Sequence, residues 1–184
     1  DNASDILPEN LELEDKWILS KLNVLAKEVT ENLDSFELGM AVQKLYDFIW
    51  DEFCDWYIEM AKPRLSGEGV AKNNPQNVLV YVLSNVLKLL HPFMPFITEE
   101  IYSYLPVTDK GSIMISNWYE YSDELYFPEQ VEQMELIKNA IKAIRNIRAE
   151  MNVPPSKKAK LVIITEDTDL FAQGDVFFKK LAWA

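Results

Sequence analysis

The sequence predicts a mainly α-helical protein, an antiparallel helical bundle with a small, partial α/β element at its C-terminal end. Several long stretches repeat apolar residues at the spacing typical of helices that pack against one another. The stretch 46–63 contains no glycine, and its only proline is its last residue, so a long helix can run through it. Hydrophobic residues make up 48% of the 184 residues, enough for a sizeable core. After residue 155 a short β-branched run predicts the α/β element.

Composition and charge exclude several classes of protein. The formal net charge of −12 argues against nonspecific binding of nucleic acid, DNA included, because such binding depends on neutralising phosphates. No run of 18 apolar residues is present, so we expect no membrane span. The polar N-terminus shows no signal peptide, and one cysteine cannot form an internal disulfide, which together favour the reducing cytoplasm. The chain starts with Asp1 instead of methionine, so we expect a piece of a longer protein.

The first predicted elements are a linker and two helices. Residues 1–12 are polar with little periodicity and are predicted to form the linker. A first helix is predicted over 13–32, where acidic residues at the start suit the helix dipole. Asp34, with Glu37 three residues further on, is predicted to cap a second helix over 35–62. The second helix has a core stripe and a neighbouring aromatic stripe: Leu45, Ile49, Phe53, Trp56 and Met60, beside Tyr46, Trp50 and Tyr57.

The middle of the chain predicts a loop and two helices separated by a break. Residues 63–74 are polar with two glycines, and Asn74 before a proline is typical of a helix N-cap. The helix predicted over 75–91 has a wide aliphatic face, so we expect it in the core. Two prolines within 91–96 prevent a regular helix. A short helix is then predicted over 98–105.

A strand, a loop and a long helix are predicted next. Residues 112–118 alternate and are partly β-branched, which predicts a short strand. Residues 119–127 are acidic and aromatic and are predicted to form a loop, and a proline then opens a helix over 128–152. The buried face of that helix is predicted from its apolar spacing: Ile137, Ala140, Ile141, Ile144, Ile147 and Met151.

The end of the chain predicts the start of a different unit. Residues 160–165 predict a strand and residues 175–184 predict a helix. We therefore expect 154–184 to begin a small α/β unit whose remaining strands lie outside this sequence.

Three motifs carry a family resemblance. They are FCDWYIEMAKP at 53–63, HPFMPFITEEIY at 91–102 and IRNIRAEMNVPP at 144–155. Their order and rough spacing resemble the helical anticodon-binding domain of the valyl-tRNA synthetase family, which belongs to the class I aminoacyl-tRNA synthetases. The similarity runs over 11–155.

The resemblance implies both a fold and a parent enzyme. The fold is a helical bundle of the class I synthetase anticodon-binding type over 13–153, with the first helix of the family domain missing and a C-terminal coiled-coil arm absent. The parent attaches valine to its tRNA with ATP and magnesium. The family's His-Ile-Gly-His and Lys-Met-Ser-Lys-Ser signatures do not occur in this sequence. We therefore expect no catalysis and no cofactor in this fragment alone.

The C-terminal end of the second predicted helix carries the candidate anticodon-binding residues. Ile58 lies about 160–200° round the helix from Trp56 and Met60, so it leaves the core stripe. Unpaired RNA bases stack on flat or apolar side chains and bond to nearby polar groups. The resemblance places Ile58 where the family has an aliphatic residue against an anticodon base of valine tRNA, whose middle and last bases are A and C. Helical geometry adds Glu59 as acceptor, Lys62 as donor and Trp56 as support.

A basic segment interrupts the acidic chain. Residues 138–160 contain seven basic residues and one acidic residue, so this segment can present a basic surface to RNA. Four of them are predicted to contact the tRNA backbone: Lys138, Lys142, Arg145 and Arg148. The alternative interpretation is a solvated helix face.

The remaining reactive side chains favour structural roles. His91 near two glutamates could serve acid–base chemistry or bind a metal, but a lone histidine at a helix corner is more often packed or capping. Cys54 lies among acidic residues that disfavour a thiolate, so we expect no nucleophile. The acidic cluster is predicted to be a solvated face and to bind no metal: Asp51, Glu52, Asp55 and Glu59.

A second function remains open at this point, a helical protein-interaction or scaffold module without RNA binding, which the net acidity and aromatic faces would suit. The partner expected from the resemblance is valine tRNA, with no DNA and no membrane. We expect a monomeric parent, and a fragment that self-associates through exposed core because a family helix is missing.

Overall fold

A computed structural model of the chain describes residues 3–67, 69–108, 111–154 and 156–182. The chain divides into two compact units, Asp1–Pro128 and Glu129–Ala184. Helices make up most of the regular structure, and the described residues include no β-strand. Among these residues, no helix is both long and apolar enough to span a membrane. The mainly α prediction is therefore confirmed, while the strand predictions at 112–118 and 160–165 are wrong.

Helix α1 (Leu13–Asp34) is the centre of the first unit. Most of its apolar side chains are buried, with Trp17 at 0% exposure, and it packs against the two helical segments that follow it in the chain and against the helix Val70–Leu90. The Glu12 backbone N–H donates to Oδ2 of Asp15 at 3.1 Å, which caps the first turn. The acidic residues at this end were expected to act on the helix dipole alone, and at least one of them is also a cap.

The second predicted helix is formed by three segments that follow one another without a break: α2 (Leu38–Asp47), a π-helical segment π1 (Phe48–Ile58) and α3 (Glu59–Leu65). Both junction residues, Asp47 and Ile58, have right-handed helical dihedral angles. The predicted cap by Asp34 is wrong, because Asp34 is the last residue of α1. The chain instead reverses through Phe36, which has a φ of 58°.

The core stripe of the second helix is confirmed for four of its five residues. Leu45, Phe53, Trp56 and Met60 are buried, whereas Ile49 is only half-buried. The aromatic stripe beside it is only partly buried. Tyr46 and Trp50 are 58% and 53% exposed, whereas Tyr57 is fully buried at 0%. α2 therefore has an open apolar side.

Helix α4 (Val70–Leu90) begins earlier than predicted. Gly69 supplies the turn with a φ of 64°, which a residue with a Cβ rarely adopts, and its carbonyl accepts hydrogen bonds from Lys72 and Asn73. The prediction of Asn74 as N-cap is wrong. Pro75 lies inside the helix, in its second turn, where it cannot donate the helical backbone hydrogen bond.

The break at 91–94 is confirmed, and α5 (Pro95–Ser103) follows it. α5 starts at Pro95 instead of residue 98 because proline suits the first helical position. His91 joins the two helices, with its Nδ1 2.7 Å from Oγ1 of Thr98. The structural role expected for this histidine is therefore observed.

A 3₁₀ turn (Ile113–Ile115) replaces the predicted strand at 112–118. The carboxylate of Glu99 accepts hydrogen bonds from the Ser112 hydroxyl at 2.8 Å and the Ile113 backbone N–H at 3.1 Å. Ile113 is buried with Leu87, Tyr102 and Val107. The β-branched pattern was misleading because the Glu99 carboxylate holds this segment in place. Among the described residues it has no neighbouring strand with which to pair.

The loop after this turn is held against α1 by side-chain hydrogen bonds. Asn23 donates to the carbonyl of Ser122 at 2.7 Å and accepts from its N–H at 2.8 Å. The Trp118 indole donates to Thr30 at 2.9 Å. The predicted loop at 119–127 is confirmed apart from a single 3₁₀ turn (Asp123–Leu125).

Residues 3–12 form no helix or strand and lie against the bundle. The Ser4 N–H donates to Asn77 at 3.0 Å, and the carboxylate of Asp5 accepts from the Thr108 N–H at 2.9 Å. The assignment of 1–12 as a linker stays a prediction.

The second unit contains α6 (Pro128–Glu150), α7 (Thr168–Gln173) and α8 (Asp175–Leu181). Just beyond the end of α6, Asn152 has a φ of 52° and turns the chain, while the Val153 N–H donates to the carbonyl of Arg148 at 2.8 Å. A Cβ on Gly174 would come 3.2 Å from Ile137, so this glycine permits close approach to α6. The main buried apolar residues are Met134, Ile137, Ile141, Phe177, Phe178 and Leu181.

The predicted strand at 160–165 is an irregular segment, with Val162 69% and Ile164 96% exposed. A strand needs a hydrogen-bonded neighbour, and the described residues provide none. The helix expected over 175–184 is observed as α8, and its last predicted residues lie outside the described ones. The domain boundary at 153 stays a prediction.

Candidate nucleic-acid interface

Three of the four predicted anticodon-binding residues, Ile58, Glu59 and Lys62, lie on one side of two helical turns at the end of π1 and in α3. At about 100° per residue, Tyr57 and Arg64 fall within about 20° of each other round the helix axis. Ile58, Glu59 and Lys62 lie about 100–200° from them, on the opposite side. We call the second set the outer face.

The outer face reaches solvent. Ile58 is partly exposed, and the side chains of Glu59 and Lys62 are 34% and 51% exposed. Glu59 and Lys62 form an ion pair one turn apart. Trp56 is only 6% exposed, so it supports the helix from inside and presents little surface to a ligand. The structure thus brings an apolar side chain and two opposite charges together on an accessible surface.

The inner side of the same turns is fixed by a buried ion network, which we call the Asp15 network: Glu14, Asp15, Tyr57 and Arg64. Two guanidinium nitrogens of Arg64 donate to the two carboxylate oxygens of Asp15, both at 2.8 Å. The Tyr57 hydroxyl donates to Oδ1 of Asp15, also at 2.8 Å. Arg64 also donates to Glu14 at 2.7 Å. Asp15 is fully buried, so a single carboxylate joins the start of α1 to both ends of the 57–64 segment.

Burial and charge shift the proton affinities within the Asp15 network. Desolvation, followed by repulsion from Asp15, raises the pKa of Glu14 above its usual 4.5. Desolvation and the neighbouring Asp15 also raise the pKa of Tyr57 well above 10, so it stays a hydroxyl donor. Burial lowers the pKa of Arg64, but its hydrogen bonds and charges from both acids outweigh this and raise it overall. The network therefore contains a permanent cation.

Sequence reasoning missed the Asp15 network. It assigned Glu14 and Asp15 to the helix dipole and ended the helix at residue 62, so Arg64 fell in a predicted loop. The available signal was the seven-residue spacing of Tyr57 and Arg64, which places both on one helical face. Arg64 makes three hydrogen bonds in the last turn, and these offset the backbone bond that Pro63 cannot donate.

The four basic residues of α6 differ in how they are presented. Lys138 is 2% exposed and lies 3.2 Å from Glu135. Arg148 is 7% exposed and donates to the carbonyls of Pro154 and Lys157. Arg145 donates to the carbonyl of Leu181 at 2.6 Å. Lys142 is exposed. A common basic surface made of all four side chains does not form.

The predicted buried face of α6 holds only for part of the helix. Ile137 and Ile141 are fully buried, but Ile147 is 56% and Met151 is 71% exposed. Arg148 takes the buried place near the helix end, where its guanidinium donates to two carbonyls of the segment that follows α6.

Two further groups that the sequence singled out are the Cys54 thiol and the acidic side chains around it. Burial raises the pKa of Cys54, and the neighbouring Asp55 raises it further, so the thiol is held in its unreactive form. Glu52 lies 3.8 Å from Lys21, within ion-pair distance. No group of three or more metal-ligating side chains is found in the part of the chain that the structure describes.

Comparison with known protein families identifies the class of domain that this chain contains. The family described as "Anticodon-binding domain of tRNA ligase" matches residues 15–163, most of the chain. The chain belongs to this family.

The curated relatives agree on one kind of ligase. Proteins named valine–tRNA ligase from Clostridium tetani, Clostridium acetobutylicum and Bacillus cereus are 55%, 53% and 44% identical to the chain. The matches cover 92%, 96% and 94% of the chain. They cover 19–20% of the relatives, so the chain spans about a fifth of the length of the proteins it matches.

Proposed function

We propose that the chain is the anticodon-recognition part of a valine–tRNA ligase, an enzyme that attaches valine to its tRNA using ATP and magnesium in the cytoplasm. The observation that carries the proposal is identity of 44–55% to proteins of that name over more than nine-tenths of the chain. The family match to anticodon-binding domains supports tRNA as the ligand. ATP, magnesium and valine belong to parts of such an enzyme beyond this chain.

We propose the outer face as the anticodon-reading surface. Ile58 provides an apolar platform on which an unpaired base can stack. The Glu59 carboxylate accepts hydrogen bonds, and the amino groups of adenine and cytosine are donors, which suits an anticodon with A and C as its middle and last bases. Lys62 supplies a donor and a positive charge for a phosphate or a base. Trp56 supports the platform from the core.

A separate contact with the tRNA backbone involves α6. Of its four candidate basic residues, Lys142 is exposed, whereas Arg145 is half-buried and Lys138 and Arg148 are buried. We therefore assign the backbone contact to Lys142. Such a contact positions the tRNA without reading its sequence.

The test uses the full-length ligase with valine tRNA and a copy changed in the anticodon. Ile58→Asp should lower the charging efficiency of valine tRNA by about a hundredfold and reduce the preference over the changed copy, because it removes the platform and adds a repelling charge. Ile115→Asp is the matched control, since Ile115 is 80% exposed in the same unit. Unchanged charging and preference in Ile58→Asp would overturn the site, and equal affinity of the unmodified enzyme for both tRNAs would overturn the function.

A further inference from the structure

The Asp15 network and the outer face occupy opposite sides of the same short piece of helix. Tyr57 and Arg64 both bind Asp15, and the three residues of the outer face lie between these anchors in sequence. Two anchors about two turns apart fix the rotation of the helix about its axis as well as its position along it. Any turn of the inner side would swing the outer face by the same angle.

The chemistry of the anchor makes this fixing stricter than apolar packing could. Two nitrogens of Arg64 meet both oxygens of Asp15 at 2.8 Å, a bidentate geometry with little angular freedom. Asp15 is itself immobilised, because it is fully buried and caps the first turn of α1. Apolar contacts tolerate small rotations of a helix, whereas a rotation that separates Arg64 from Asp15 breaks several hydrogen bonds at once.

The position of the π-helical segment is a second reason why the contacts of Tyr57 and Arg64 with Asp15 matter for the outer face. π1 ends at Ile58, so the wide turns stop where the outer face begins. A π-helix is less favourable than an α-helix and is usually short. Without an anchor on each side of residue 58, the junction could return to α-helical winding and turn Ile58 away from its present direction.

We propose that Arg64, Asp15 and Tyr57 are positioning residues for anticodon recognition, which hold the outer face at the angle that the anticodon requires. The proposal rests on the function proposed above. It assigns no contact with tRNA to these residues. Their effect reaches the tRNA only through the direction of Ile58, Glu59 and Lys62.

The experiment measures KM and kcat for valine tRNA and the preference over an anticodon-changed copy in the full-length ligase. Active enzyme is counted by valine-dependent pyrophosphate exchange. Arg64→Met removes the guanidinium. Arg64→Lys keeps the positive charge but removes the bidentate geometry, and Tyr57→Phe removes one hydroxyl. Lys44→Met is the matched control, because Lys44 pairs with Glu28 of α1 at 2.9 Å far along the helix from residue 58.

Arg64→Met should raise KM for valine tRNA about tenfold and lower the preference similarly, with kcat changed less than about twofold. Arg64→Lys and Tyr57→Phe should give smaller changes of the same kind, and Lys44→Met none. Tyr57→Phe keeps the test valid if Arg64→Met fails to fold. A lower melting temperature with unchanged KM and preference in the folded variants would overturn the proposal, as would an equal change in Lys44→Met. If Ile58→Asp also leaves the preference unchanged, the anticodon-reading site proposed above fails with the positioning role. If Ile58→Asp alone changes the preference, only the positioning role fails.

Discussion

The segment 57–64 and the helix α6 both carry charged residues predicted to meet RNA, and the structure treats them differently. In 57–64 the apolar stripe faces the core, and the charged residues of the outer face reach solvent. In α6 the order is partly reversed, with Arg148 buried and Ile147 exposed. The difference teaches that helical spacing tells which residues share a face but not which face the fold covers.

The physical reason lies in what each helix end needs. At Arg64 a long basic side chain finds two buried carboxylates, and at Arg148 it finds carbonyls beyond a helix end. In both places the arginine is drawn inward because its guanidinium donates to more than one acceptor at once. Arginine in such a pattern is therefore a weak predictor of an exposed RNA contact. Lysine at positions 62 and 142 remains exposed.

The largest effect is expected from Asp15→Ala. Removing this carboxylate leaves the Arg64 guanidinium and the Tyr57 hydroxyl without their main acceptor, so the free energy of unfolding should fall by about 4 kcal/mol. Glu28→Ala, which removes the exposed partner of Lys44, should cost less than about 1 kcal/mol. Urea unfolding of the three proteins measures both. Equal losses would mean that the buried network has no special weight.

The next effect sharpens the division within α6. Ile141→Ala should lower the free energy of unfolding by about 3 kcal/mol, because a fully buried side chain leaves a cavity. Ile147→Ala should change it by less than about 0.5 kcal/mol, since Ile147 is 56% exposed. Thermal and urea unfolding of the pair provide the comparison. A large loss in Ile147→Ala would show that the helix face is covered in solution.

Arg148→Ala tests whether the buried arginine stabilises the end of α6. It should cost about 2 kcal/mol, since charge-assisted hydrogen bonds to the carbonyls of Pro154 and Lys157 are lost. Lys142→Ala should leave stability within about 0.5 kcal/mol. In the full-length ligase the salt dependence of tRNA binding should flatten by about one unit in Lys142→Ala. An unchanged slope would leave α6 without a backbone contact.

The smallest effect concerns the pH dependence of Glu14. Because burial raises its pKa above 4.5 in the folded chain, Glu14 holds its proton more tightly there than in the unfolded chain. Its contribution to stability is therefore present below pH 4.5 and is lost as the pH rises through the raised value. Relative to Glu14→Gln, the unsubstituted chain should lose stability over that rise. A constant difference between the two across pH 4–8 would contradict the shift.

Much of the fold could be predicted from local pattern. The long helices follow from apolar repeats, and the buried residues Leu45, Phe53 and Met60 all lie on the core stripe predicted for the second helix. The helix boundaries were predicted less accurately. The helix expected to end at residue 62 continues through Pro63, and α4 begins directly after Gly69 instead of at residue 75. Both predicted strands failed, since a strand exists only if another segment pairs with it.

The candidate site divides in the same way. Helical spacing placed Ile58 outside the core stripe, and the structure leaves it partly exposed as expected. Its role against an anticodon base stays a prediction. The Asp15 network could not be found from spacing alone, because Asp15 and Arg64 are 49 residues apart in sequence and meet only when α1 and α3 come together.

The sequence by itself determined which segments are helical, which apolar residues line each helix, and the family to which the chain belongs. These follow from local repeats and motifs that need no partner. Only the tertiary structure decided which charged side chains are buried, where the π-helical turns end, and which face of α6 is covered. The physical reason is that a charge is buried only where the folded chain brings acceptors to it, and for Asp15 and Arg64 these come from parts of the chain 49 residues apart.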